Sequence, residues 1–173
     1  LNNVSLTLKE GNIYGLVGNN GSGKTMLMKC MCGFIRPTEG TVESNGNVIG
    51  RDVDYLPDAG VIIETPGFIP YYSGFQNLKV LAGIKNKISA NEIREAILTV
   101  GLDPELKLPV KKYSLGMRQR LGLAQAIMEN PSILILDEPM NGLDRDGVNE
   151  IRQLLLKLKE QGKTILLASH NKE

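Results

Sequence analysis

The sequence predicts an α/β fold, a mixed but mainly parallel sheet with helices on both faces, and three features of its 173 residues carry that expectation. Short apolar runs alternate with segments of helical periodicity, as in a sheet covered on both faces. Gly18-Asn19-Asn20-Gly21-Ser22-Gly23-Lys24-Thr25 fits the phosphate-loop pattern G-x-x-x-x-G-K-[ST] and directly follows one such run. Asp137-Glu138 follows another, beyond the carboxyl end of a strand, where open α/β sheets bind ligands.

Val4-Ser5-Leu6-Thr7-Leu8 alternates apolar and polar residues, the period of a half-buried strand. Lys9-Glu10-Gly11-Asn12 turns into a buried strand over 12–17, and a helix over 25–33 follows the phosphate loop, with Met26, Leu27, Cys30 and Met31 expected as its core stripe. Arg36-Pro37-Thr38-Glu39-Gly40 breaks that helix. Segments 41–43 and 47–49 around Asn45-Gly46 read as a hairpin, and 60–63 as a short buried strand. Between about Phe68 and Asn130 the pattern turns helical. Ser89-Ala90-Asn91-Glu92 is a capping box ahead of Ile93, Ala96, Ile97 and Val100, with Gly101 as the stop. Ser114 caps a second helix, striped by Met117, Leu121, Ala124 and Met128 and ended by Asn130-Pro131. The α/β pattern then resumes with a strand at 133–136, a helix striped by Val148, Ile151, Leu155 and Leu158 and closed by Gly162, and a strand at 164–168.

Composition bounds what such a fold does. With 42% hydrophobic residues the chain can bury a real core, and a formal net charge of +1 gives no electrostatic footprint for nucleic acid. No apolar run approaches the roughly 18 residues of a membrane-spanning helix. The start at Leu1-Asn2-Asn3-Val4 is neither a signal peptide nor an initiator methionine, which suggests a fragment. Cys30 and Cys32 lie two apart on a helix, off a common face, and read as core-filling thiols in a reducing compartment rather than a metal or redox pair.

The chemistry concentrates in two places. In the phosphate loop, glycines let successive N–H groups converge on phosphate oxygens, Lys24 reaches the β- and γ-phosphates, and Thr25 offers its hydroxyl to Mg²⁺. After the strand at 133–136, Asp137 is suited to hold Mg²⁺ through water. Glu138 is suited to accept a proton from, or orient, the water that attacks a γ-phosphate. His170, the sole histidine, follows the last strand at the sheet's ligand end, where imidazole hydrogen-bonds a γ-phosphate.

Tyr113-Ser114-Leu115-Gly116-Met117-Arg118-Gln119-Arg120, upstream of Asp137-Glu138, resembles the signature L-S-G-G-Q of ATP-binding cassette (ABC) transporter subunits. Ser114 and Gly116 match it, while Leu115 replaces a glycine and Met117 the glutamine. Met140-Asn141-Gly142-Leu143-Asp144 is similar to the family's D-loop, with Asp144 as its acid, and His170 to its switch histidine. The resemblance runs through the whole chain in order. It implies a RecA-like P-loop NTPase core at 1–67 and 131–173, with an inserted helical subdomain at 68–130. It further implies ATP and Mg²⁺ as ligands, nucleotide contacts from the run 18–25 extended to Met26, and a transport-coupled ATPase. Two copies pack head to tail in that family, so that Ser114 and Gly116 of one complete the partner's site. Glu64 occupies the position of a glutamine that touches the metal and the attacking water, which makes it both a catalytic and a metal-side candidate. Glu64 with Pro66-Gly67, Gln76-Asn77-Leu78 and the signature variant looks like the branch that exports, or gives immunity to, bacitracin and lantibiotic peptides. The implied partners are a second nucleotide-binding subunit and an integral-membrane permease, docking near Phe68 to Phe75, with no nucleic acid. The implied location is the cytoplasmic face of the membrane. Two alternatives stay open at this point: a soluble ABC ATPase acting on ribosomes or DNA, and a binding-only degenerate cassette. The aromatic residue that stacks on adenine in the family lies upstream of this sequence.

Overall fold

A computed structural model describes residues 3–170; Leu1, Asn2 and 171–173, the ends of the expected core segments, lie outside the described residues. Four strands, β1 (Ile13–Val17), β4 (Ala59–Ile62), β5 (Ile133–Asp137) and β6 (Thr164–Ser169), form one sheet in the order β1-β6-β5-β4. All three pairings are parallel. The antiparallel component of the expected mixed sheet is a separate hairpin, β2 (Glu43–Ser44) with β3 (Asn47–Val48). Its turn residues Asn45 and Gly46 both have positive φ, as a tight two-residue turn requires.

The helices are α1 (Lys24–Cys32), α2 (Gly74–Lys85), α3 (Ala90–Thr99), α4 (Leu115–Ile127) and α5 (Arg145–Glu160). Local chemistry sets their ends. Ser73 and Ser89 each form a full capping box, with Gln76 and Glu92 respectively. The Ser114 hydroxyl accepts from the Met117 N–H, and the Asp144 carboxylate from the Gly147 N–H. Two groups tie the helical stretch between β4 and β5 together. The buried Asn77 side chain accepts from the Ile69 N–H and donates to the carbonyls of Ile69 and Ser73, which shapes the entry into α2. The Tyr113 hydroxyl accepts from the Gly74 N–H at 3.2 Å, and its burial raises the phenol's pKa.

The main core is continuous across sheet and helices. Leu78 of α2, Ile97 of α3, Leu121 and Leu123 of α4, Leu134 and Leu136 of β5, Ile151 of α5 and Ile165 of β6 all belong to it. A smaller core on the other face joins Met28 and Cys32 to Ile135, Leu166 and Ala168. Cys32 therefore fills core, and burial pushes its thiol pKa up to about 12.

Two expectations are corrected. Residues 4–8 form no strand: Val4 and Leu6 are half exposed, and only Leu8 packs on the smaller core. Alternation alone does not make a strand without a partner edge, and none of the described strands pairs with it. The buried stripe of α1 is Met28 and Cys32, one turn apart, rather than Met26, Leu27, Cys30 and Met31. Met31 packs at its border, whereas Met26 is half exposed and Cys30 only partly covered. The sheet sits against the face that carries Met28, and this turns Met26 outward.

At Gly60 a Cβ would stand 1.9 Å from the Ala126 carbonyl oxygen of α4. Gly60→Ala is expected to cost about 3 kcal/mol, because both sides of that contact are backbone. Denaturant unfolding of the intact chain checks it: a midpoint equal to wild type would mean that β4 and α4 have room to part.

Candidate nucleotide site

Each candidate group emerges from the carboxyl end of a parallel strand. The phosphate loop follows β1, Glu64 follows β4, Glu138 follows β5 and His170 follows β6. The register aligns these ends, with Val17 opposite Ser169 and Asp137 opposite Ala168. Residues far apart in sequence thus share one rim of the sheet.

The loop itself is held by its own backbone. The Ser22 N–H donates to the Asn19 carbonyl, and Gly23 enters α1 with φ 93°, a conformation that favours glycine. No side chain caps the N-terminus of α1. Its first-turn N–H groups and the positive end of the helix dipole are therefore available to an anion. Lys24 Nζ donates to the carbonyls of Gly18 (2.7 Å) and Asn19 (3.3 Å), which keeps the ammonium over the loop.

Thr25 and Asp137 meet. The Thr25 hydroxyl donates to Asp137 Oδ2 at 2.6 Å, and Asp137 is buried. These are hard oxygen donors of the kind Mg²⁺ takes. No group of three or more His, Cys, Asp or Glu is placed to share a metal among the described residues. Two such donors fit an ion that keeps most of its waters, as Mg²⁺ does.

Glu138 is gripped on every side. Its N–H donates to the Ala168 carbonyl, and its own carbonyl accepts from the buried Gln119 side chain and the Asn141 N–H. Its Oε2 lies 2.9 Å from His170 Nδ1. Because an ionised carboxylate only accepts, the proton of a neutral ring sits on Nδ1 and leaves Nε2 as acceptor. Glu138 holds φ 49°. Among the described residues seven non-glycine positions have positive φ; five are Asn or Asp, which tolerate it, and the other two are Glu64 and Glu138. Backbone strain at two strand ends on one rim, both carrying carboxylates, singles this rim out as the candidate functional site.

Glu64 differs from the expectation in its company. Its carboxylate pairs with Lys29 Nζ at 2.5 Å, and Lys29 lies one helical turn beyond Thr25 on α1. The charge that would oppose a phosphate is balanced within the chain. Sequence reading gave Lys29 no part in the site, and quoted Tyr113 and Gln119 within the signature stretch without assigning either a contact.

Ser114, Gly116 and Asp144 are not on this rim of contacts. Ser114 caps α4 and Asp144 caps α5, while Gly116 packs against the Gly142 carbonyl. Thus α4 starts beside the D-loop rather than at the chain's own phosphate loop.

A four-stranded parallel sheet bearing a phosphate loop and an acidic strand end defines a P-loop nucleotide-binding module. The ABC transporter family model matches residues 1–141, and the chain belongs to that family. Within it the chain is an ATP-binding cassette. The uncharacterized ABC transporter ATP-binding protein YybJ of Bacillus subtilis is 47% identical over the whole chain, which covers 79% of that relative. The bacitracin transport ATP-binding protein BcrA of Enterococcus faecalis is 46% identical over 98% of the chain, which spans 56% of that relative's length. In structure, the ATP-binding cassette MJ0796, in a dimeric post-hydrolysis state bound to ADP and Pi, superposes with TM-score 0.85 at 26% identity, covering 96% of this chain and 78% of the other.

Proposed function

We propose that this chain binds ATP with Mg²⁺ and hydrolyses it in a head-to-tail pair, powering export through separate permease subunits. The observation that carries the reading is the convergence of the phosphate loop, Asp137, Glu138 and His170 on one rim of a parallel sheet. Loop amides 18–25 and Lys24 hold the phosphates, with Met26 at the end of that run. Thr25 and Asp137 hold Mg²⁺, which neutralises charge on the phosphates when bound. Glu138 takes the proton of the attacking water, His170 orients the same region through its bond to Glu138, and Glu64 stands toward the metal's hydration shell. Ser114 and Gly116 from the second copy close the site, with Asp144 bordering the junction. In this reading 1–67 and 131–173 form the RecA-like core and 68–130 the helical subdomain.

The relatives favour a transporter over a ribosome- or DNA-acting ATPase, and a bacitracin-type peptide antibiotic is the export substrate we propose. No helix among the described residues is long and apolar enough to cross a membrane, and in this reading a separate permease carries the span. We place its docking on the segment Phe68 to Phe75, where Tyr71 and Tyr72 are exposed, next in sequence to Thr65, Pro66 and Gly67, which line a cleft of about 540 Å³. The chain then works at the cytoplasmic face of the membrane.

Mixing two inactive variants tests the pairing. Lys24→Ala disables one copy's phosphate loop, and Ser114→Arg disables what a copy offers its partner. Each alone is expected to lose turnover. Mixed, they form one intact composite site and regain phosphate release. A mixture no more active than its components would exclude the head-to-tail arrangement.

A further inference from the structure

The signature variant and the D-loop variant of this chain fit each other. Leu115, where the family signature carries a glycine, lies across Gly142. A Cβ at Gly142 would stand 2.4 Å from Leu115 Cγ and 2.5 Å from Cδ2. In the opposite direction, a Cβ at Gly116 would stand 2.9 Å from the Gly142 carbonyl oxygen. The two loops therefore interlock twice, with a leucine over a glycine and a carbonyl over a glycine. Four residues along α4, Gln119 donates to the Glu138 carbonyl at 3.0 Å, and Asn141 N–H donates to that same carbonyl. The first turns of α4 thus grip both ends of the segment 138–142.

We propose that Leu115 is a positioning residue: its side chain, seated on Gly142, locks the start of α4 to the D-loop so that both reach the partner copy as one body. The inference rests on the head-to-tail reading for its functional half only. Leu115 is 53% exposed even with one side on Gly142, so the remaining side stands open to a second copy. Because a single volume is shared, a methyl added at position 142 needs room that the Leu115 side chain already fills.

The test is a double-substitution cycle in the intact chain, with Leu115→Gly, Gly142→Ala and both together. Gly162→Ala serves as the control, since Gly162 has a similarly positive φ of 87° but no atom within 4 Å of its would-be Cβ. Thermal unfolding reads the contact within one copy. Gly142→Ala should lower the midpoint more than Gly162→Ala does, and adding Leu115→Gly should remove the excess. ATPase kinetics of the cycle variants with Glu138 intact, and nucleotide-dependent pairing of the same variants with Glu138→Gln added, read the positioning. We expect kcat to fall about tenfold for Gly142→Ala and about threefold for Leu115→Gly, with ATP binding unchanged, and the double variant to return toward wild type. Equal midpoints for Gly142→Ala and Gly162→Ala, or no recovery of kcat on adding Leu115→Gly, would overturn the proposal. If Glu138→Gln alone fails to pair with ATP, the head-to-tail reading falls with the positioning role, while the unfolding cycle still reports the contact.

Discussion

Glutamine at Glu138 is expected to cut ATP turnover by about 10²- to 10⁴-fold, the range a positioned general base contributes. Nucleotide binding is expected to stay near wild type, because the phosphate loop and Lys24 are untouched. The substitution is nearly isosteric, and the strained backbone at φ 49° is held by three hydrogen bonds to its own N–H and carbonyl that do not involve the Glu138 side chain. Glutamine keeps an oxygen to accept from His170 Nδ1, so the ring stays in place. What is lost is the capacity to take a proton. An ATP-bound dimer should then accumulate on size exclusion, because in the proposed cycle closure precedes cleavage. Phosphate release at the wild-type rate from this variant would remove Glu138 as the base.

Alanine at Lys24 acts a step earlier. The ammonium is held over the phosphate loop by two carbonyls, so it is already placed when a triphosphate arrives. A charge-assisted hydrogen bond contributes about 1.5–3 kcal/mol, so its loss predicts roughly 10- to 100-fold weaker binding of MgATP. Calorimetry measures this directly. In the variant the carbonyls of Gly18 and Asn19 also lose their donor, which further loosens the loop. An unchanged dissociation constant would mean that the amides alone hold the nucleotide and that the loop has another role.

Much of this site was legible because its signals are local. The phosphate loop, the Ser89 and Ser114 caps and the apolar strand before Asp137 each depend on residues within a few positions of one another, and each stands where the periodicity places it. The failures share a cause as well. The nine residues of α1 carry apolar side chains nearly all round, so its phase is decided by the sheet that covers Met28 and Cys32. Segment 4–8 has the right alternation, but a strand also needs a neighbour, which no alternation encodes. The partners of Glu64 and Glu138 were out of reach for the same reason. Lys29 and Gln119 lie 35 and 19 positions away, and only the folded chain brings them into contact.

The Lys29–Glu64 pair bears on how a polyanion experiences that corner of the rim. A lone carboxylate there would present a monopole whose repulsion decays slowly with distance. With an ammonium 2.5 Å from it, the corner acts as a dipole, whose field falls off more steeply with distance than that of a single charge. The residue that departs from the family's amide would thereby repel an incoming polyanion less than an unpaired carboxylate would.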